Sequence, residues 1–252
     1  MSRPGFLIMS FALLTAFLPE IMAAEPDLVG YWPLDEGSGK EAKDASGNGN
    51  HGEFVGDPQW VDGKYGKAVE FNGTSDYIEV LDADPISMDT NVTCAAWFRP
   101  SITIDSANGS AYRLMSKNND YFLLFNYTNI GNLGWLVKDP GGTNHVVHST
   151  TASWAEGEWY HVAGTYDGNE LIIYINGILE GRLPYNGEIG TSGLAMWIGA
   201  DDIPHYFPGA IDEVRIYDKP LDEAAINTMM SGPVAVDSTG KLAVTWGEMR
   251  SF

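Results

Sequence analysis

The strongest constraint on this chain is a pair of turn dipeptides, Asp167-Gly168 and Asn176-Gly177, flanking the run Leu171-Ile-Ile-Tyr-Ile175. Asp-Gly and Asn-Gly tolerate the positive φ of tight hairpin turns, and the run between them is aliphatic and aromatic. The stretch from Trp159 to Leu183 therefore predicts a three-stranded antiparallel meander. Comparable runs, bounded by Gly, Asn, Asp and Pro, fall near residues 28–34, 68–71, 77–80, 92–98, 112–117, 121–126, 134–138, 145–149, 195–199 and 210–217. Only Asp222 to Met230 has helical spacing, with Leu221, Ala225 and Met229 on one stripe. Asp222 caps or charges its start and Gly232-Pro233 stops it. This pattern predicts an all-β fold, a two-sheet antiparallel β-sandwich with one short C-terminal helix.

Composition narrows the function. Fourteen basic against 34 acidic residues leave a formal charge of −20. Nucleic-acid binding by phosphate neutralisation and anchoring to anionic lipid are both disfavoured. One cysteine, Cys94, excludes a disulfide framework and Cys-rich zinc sites, and its apolar strand predicts an inert core thiol. Residues 1–24 read as a secretory signal: Arg3, the apolar stretch Phe6–Leu18, then Pro19 and the small pair Ala23-Ala24. The apolar stretch is short of the ~20 residues that span a bilayer. The expected organisation is a leader over 1–24, one domain over 25–231, and a C-terminal extension over 232–252. The product is expected to be secreted, periplasmic or at the cell surface, with no membrane insertion after cleavage.

Side-chain patterns argue against an enzyme. No stretch carries paired carboxylates of the glycosidase type on one strand face, since Glu79-Val-Leu-Asp82-Ala-Asp84 runs into Pro85. His145 and His148 are three apart on a strand, so they face opposite ways and cannot share a metal. In contrast, Asp44-Ala-Ser-Gly-Asn48-Gly-Asn50 supplies oxygens densely in a Gly-bearing loop. Either those side chains ligate Ca²⁺ or they make side-chain turns. Loop aromatics Trp135, Tyr185, Tyr206 and Phe207 are candidates for stacking on sugar rings. The loop Asp201–Pro208 adds Asp201 and His205 to Tyr206, a lectin-like set. Alternation in Asp212-Glu-Val-Arg-Ile-Tyr217 sends Val214 and Ile216 to one face and places Glu213 beside Arg215, a pair expected at the surface. Trp32, Phe71, Ala96, Phe98, Val162, Ile173, Ile198, Val214 and Ile216 are the expected core.

Several motifs share an order and spacing: Leu28-Val-Gly-Tyr-Trp-Pro-Leu-Asp-Glu-Gly-Ser-Gly39, Asp44-Ala-Ser-Gly-Asn-Gly-Asn-His-Gly52, Gly66-Lys-Ala-Val-Glu-Phe-Asn-Gly73, Glu158-Trp-Tyr-His-Val162 and Gly209-Ala-Ile-Asp-Glu-Val-Arg-Ile-Tyr217. Over about residues 28–231 the chain resembles the laminin-G-like, concanavalin-A-like jelly-roll domains of bacterial secreted proteins. The resemblance implies two antiparallel sheets, a structural Ca²⁺, and binding to glycans or proteins. It implies that the metal joins Asp35 or the Asp44 loop to Asp212, so the candidate ligands are Asp35, Asp44, Asn48, Asn50 and Asp212. The expected function is a non-enzymatic module recognising a glycan or an extracellular surface. The alternatives are a protein-adhesion module without a sugar site and, by fold analogy alone, a glycan-active hydrolase or lyase.

Overall fold

The structure is a computed structural model that describes residues 27–107, 111–125, 131–203 and 205–232. The chain runs through β1 (Leu28–Trp32), β2 (Glu41–Ala42), β3 (Gly52–Val55), β4 (Gln59–Asp62), β5 (Lys67–Asn72) and β6 (Tyr77–Val80). It continues through β7 (Val92–Pro100), β8 (Arg113–Lys117), β9 (Tyr121–Phe125), β10 (Leu133–Lys138) and β11 (Asn144–His148). The last elements are β12 (Tyr160–Tyr166), β13 (Glu170–Ile175), β14 (Ile178–Pro184), β15 (Met196–Ile198), β16 (Pro208–Tyr217) and the helix α1 (Glu223–Met230). Two eight-stranded sheets result. Sheet A has the order β14-β13-β12-β7-β16-β5-β4, with β1 also paired to β16. Sheet B has the order β11-β10-β9-β8-β15-β6-β3-β2.

The expected meander is β12-β13-β14, with Val162 opposite Ile175 and Ile175 opposite Ile178. Asn176 (φ 49°) and Gly177 (φ 75°) form its second turn, both left-handed as a two-residue hairpin of this hand requires. Three strands were not legible: β2, β3 and β4. They are short, lie towards the sheet margins and carry outward polar residues such as Glu53, Gln59 and Asp62, so neither period nor apolar content marks them. All nine expected core residues are buried. Phe98 sits among Phe125, Trp154, Tyr160 and Phe207 with ring centroids 5.3–6.1 Å apart. Cys94 is buried on β7 in the same core, and burial pushes its thiol pKa up.

The outer face of sheet A is covered. Helix α1 starts at Asp222, whose side chain accepts from the Ala225 N–H at 2.8 Å. It packs Ile226 and Met229, with Leu221, onto Leu28, Tyr31, Ala95, Ala163, Tyr174 and Tyr217. Under its C-terminal end lies a buried polar triad. The Tyr31 hydroxyl donates to Glu213 Oε2 at 3.0 Å, and Arg215 donates to Glu213 Oε2 at 2.5 Å and to the Met229 carbonyl at 3.0 Å. Glu213 and Arg215 therefore pair as expected, but beneath a helix rather than at the surface. Glu213 has φ 53°, within a register irregularity of β16 between Asp212 and Arg215. The Tyr65 hydroxyl donates to the Met230 carbonyl, so two side chains satisfy the last turn of α1. Among the described residues, no helix is long and apolar enough to cross a membrane. The expected leader over 1–24 and nearly all of the expected extension over 232–252 lie outside the described residues.

Candidate functional site

Among the described residues, no helix lies over the outer face of sheet B, where Trp197, Phe122 and Val146 are half-buried and Ser116, Leu124 and Leu136 are buried. Its registers place Glu53 opposite Glu79, Glu79 opposite Trp197, Trp197 opposite Ser116, Ser116 opposite Phe122, Phe122 opposite Leu136 and Leu136 opposite Val146. Directly paired residues point to one side of a sheet, so these form a row perpendicular to the strands. Met196, Ile198, Leu123, Val137 and Val147, which alternate with the row, face the core. The row is therefore the opposite face, and its middle carries Trp197, Phe122, Leu136 and Val146. Trp197 stacks on Tyr77 at 4.3 Å, and Tyr206 lies 6.4 Å from Tyr77. The Trp197 indole N–H donates to Glu79 Oε1 at 3.1 Å, which fixes the ring in place.

A groove of about 280 Å³ opens on this face. Its lining combines apolar Phe122, Leu124, Leu136 and Ile203 with polar Arg113, Asn119, Lys138, Asn144, Asp201 and Asp202. Asp201 is buried and held by Arg113 at 2.7 Å and by His205 at 3.0 Å. Lys138 donates to Asn119 Oδ1 at 2.7 Å. A second cleft, of about 520 Å³, adjoins through the same Asn119 and Lys138 and runs past Asp139, Glu188 and Ser192.

Of the expected ligand-binding residues, Asp201, His205 and Tyr206 come together beside this groove, all on one loop. Trp135 does not. It lies on β10 pointing into the core, fully buried, with its indole N–H on the Thr165 carbonyl at 3.1 Å. A Cβ at Gly164 would sit 2.4 Å from its ring, so the glycine on β12 makes room for it. Reading Trp135 as a loop aromatic failed because Leu133–Lys138 is an apolar run whose inward phase is hidden. Tyr185 is also displaced, with its ring stacked on His145 at 3.7 Å and on Tyr166 at 5.5 Å. His145 shares the inward phase of its partner Val137, so Tyr185 belongs to the seam between the sheets. Phe207 is core. Trp197, Phe122 and Tyr77 were missed as surface aromatics. In Met196-Trp197-Ile198 alternation carries the signal, whereas Phe122 is masked by the continuous run Tyr121–Phe125.

The candidate metal ligands divide their work. Asp44 is buried, and its carboxylate accepts from the backbone N–H groups of Tyr31, Ser46 and Asn50 at 2.8–3.0 Å. Asn48 and Asn50 turn their amide N–H groups to the Val29 carbonyl. Asp35 is exposed and accepts from the Lys67 N–H at 2.7 Å. Asp212 is mid-strand, since β16 begins at Pro208, and its Oδ2 accepts from the Lys64 and Tyr65 N–H groups. Its Oδ1 is buried without a hydrogen-bond partner. Burial, with the nearby charges of Glu213 and Asp35, pushes Asp212 up to about 8 against the pull of the Tyr65 and Lys64 N–H groups. Among the described residues, no three carboxylate, histidine or cysteine side chains converge as a metal cage.

Residues 72–227 match the family model described as the concanavalin A-like lectin/glucanases superfamily. No curated protein matches the chain. Among solved structures, the chain resembles the binding domain of Paraclostridial Mosquitocidal Protein 1, with a TM-score of 0.68 and 20% identity over 81% of this chain and 51% of that one. It also resembles domain 4 of AbnA, a GH43 extracellular arabinanase from Geobacillus stearothermophilus solved with arabinotriose (TM-score 0.63, 19% identity, 81% of this chain and 98% of that one). A third likeness is to the binding domain of botulinum neurotoxin DC solved with rat synaptotagmin II (TM-score 0.64, 15% identity, 83% and 52%). The chain spans about half the length of these toxin domains and nearly all of the arabinanase domain. At such identities the solved structures speak for the fold, and together with the family match over most of the sandwich they lead to one statement. This chain belongs to the concanavalin A-like lectin/glucanases superfamily.

Proposed function

We propose that this protein is a secreted, non-enzymatic binding module and that it recognises carbohydrate on the outer face of sheet B. One observation carries the reading: the half-buried aromatics Trp197 and Phe122 share the outer face of sheet B, and Phe122 lines a groove with the planar polar side chains of Arg113, Asp201, Asn119 and Asn144. Sugar rings offer apolar C–H faces for such aromatics and hydroxyls for such polar groups. The arabinotriose in the AbnA domain fits this reading, whereas the synaptotagmin in the neurotoxin domain favours the rival one, a protein partner. Asp201 is engaged by Arg113 and His205, and Glu79 by Trp197, so these two acids are held by structural partners.

Calcium enters as a structural ion. The free Oδ1 of Asp212 suits a hard cation, which would neutralise the local charge of Asp212, Asp35 and Glu213. The test is a glycan array with and without EDTA, followed by titration calorimetry on wild type and Phe122→Ala. Glycan binding that Phe122→Ala weakens supports the reading. A silent array, with capture of extracellular proteins instead, sinks it in favour of the adhesion module. Elemental analysis and a melting temperature indifferent to Ca²⁺ and EDTA would remove the ion.

A further inference from the structure

We infer that the margin of the outer face of sheet B, where β2, β3, β6 and β15 lie side by side, docks a basic polypeptide segment through its lysine and arginine side chains. This goes beyond the carbohydrate reading, whose groove is lined from β8, β9, β10 and β11, and it holds or fails independently of that reading.

The registers line up like charges. Glu41 on β2 is paired with Glu53 on β3, Glu53 with Glu79 on β6, and Glu79 with Trp197 on β15. Ala42, Phe54, Ile78 and Val80, which alternate with the glutamates, face the core. Three carboxylates therefore stand in a line on the outer face, about 5 Å apart at their Cβ atoms. Like charges directly opposite one another destabilise a sheet. Among the described residues none of the three forms an ion pair, and neither do Lys40 and Lys43, which flank Glu41 in the chain. A local rule broken twice in a row, with no compensating cation from the chain itself, points to a partner outside it.

The surroundings of the row select the kind of cation. Val55 is paired with Tyr77, on the same face and beside the Glu53–Glu79 pair. Tyr77 stacks on Trp197, and Tyr206 lies 6.4 Å from Tyr77. Glu41 and Glu53 are exposed, and Val55, Tyr77, Glu79, Trp197 and Tyr206 are half-buried. A strip of carboxylates thus runs alongside a strip of apolar and aromatic surface. Lysine and arginine match both strips. Their aliphatic stems cover apolar surface while their heads reach carboxylates, and their charge is drawn to ring faces. A metal ion would use only the carboxylates, and among the described residues no three acidic, histidine or cysteine side chains converge as a cage. The spacing of the row lets several side chains of one segment each take a carboxylate. The formal charge of −20 adds long-range attraction for a basic partner.

The experiment is calorimetry on the full chain with hexa-arginine, hexalysine and hexaserine peptides. Spermine and partly de-N-acetylated chitosan oligomers serve as cations without a polypeptide backbone. Hexa-arginine should bind and hexaserine should not. The triple variant Glu41→Gln, Glu53→Gln, Glu79→Gln should weaken hexa-arginine about tenfold or more at low salt. Glu156→Gln, Glu158→Gln, Asp218→Asn removes the same charge from exposed positions elsewhere and should change the affinity less than about threefold. Trp197→Ala should weaken hexa-arginine more than hexalysine, because guanidinium planes stack on rings. Without any ligand, Glu53→Gln should raise the melting temperature by relieving two opposed neighbours, and the gain should shrink as salt is added. Equal losses in the two triple variants would reduce the attraction to net charge and overturn the inference. So would tighter binding of spermine or chitosan than of hexa-arginine, or no binding of either basic peptide. The glutamate variants leave Phe122 and its groove in place, so glycan binding measured on them reports separately on the carbohydrate reading.

Discussion

The two sheets bury similar inner faces and treat their outer faces in opposite ways. Sheet A turns Tyr31, Glu213 and Arg215 outward, and helix α1 then closes over them. Sheet B turns Trp197, Phe122 and Val146 outward and leaves them half-buried. The covered face converts polar side chains into internal structure, where an ion pair must be matched by hydrogen bonds to be tolerated. The open face keeps aromatic area available, with little of the fold depending on it. Stability thereby falls to the covered side, and the proposed recognition to the other side of the sandwich.

Mutations can break or sharpen this contrast. The largest effect belongs to the covered face. Arg215→Ala strands the buried Glu213 carboxylate and removes a side-chain donor from the Met229 carbonyl, and should destabilise by about 3–5 kcal/mol in denaturant melts. A change near zero would mean that the triad is solvated. Ile226→Ala, under the helix, comes next at about 2–4 kcal/mol by cavity formation. If it unfolds like wild type, the helix is not a working cover.

Two buried groups on or beside sheet A give that side a pH signature. Asp212 is pushed up to about 8, so the folded state holds its proton more tightly than the unfolded chain and stability falls as pH rises from about 4 through 8. His161 is driven down to about 3 by burial, assisted by Arg215, so the folded state resists its protonation and stability falls as pH drops below about 6.5. The slopes oppose each other between about 4 and 6.5, and above that His161 no longer offsets the loss through Asp212. Melting temperatures should therefore decline from pH 6.5 to 8 in wild type and stay flat in Asp212→Asn. A wild-type curve already flat there would refute the buried, proton-holding state. Calcium bound at Asp212 would displace that proton, so its stabilising effect should grow with pH.

The smallest effects are expected on the open face. Trp197→Ala and Phe122→Ala should each cost about 1 kcal/mol or less in stability while weakening glycan binding. Losses as large as those of Arg215→Ala would erase the distinction between the faces.

Much of this fold was readable because its signals are local. The turns at Asp167 and Asn176, the cap at Asp222 and the alternation through Val214 and Ile216 each act within a few residues. The site was readable only in part. Asp201, His205 and Tyr206 share one loop and were found together. Trp135 and Phe122 sit in unbroken apolar runs, and which of them faces the core depends on cross-strand partners far away in the chain. The fate of Glu213 and Arg215 depended on a helix that follows them and folds back, which alternation along the strand does not encode.

Cys94 has a practical consequence for measuring all of this. It is the only thiol in the chain, fully buried at the centre of sheet A on the strand β7, between β12 and β16. A thiol reagent reaches it only when the sandwich opens, because burial also withholds the reactive thiolate. Under strong reagent, its labelling rate becomes the opening rate of the native protein, read without denaturant or added dye. The molecule thus carries a clock for its own kinetic lifetime, against which every variant of either face can be timed.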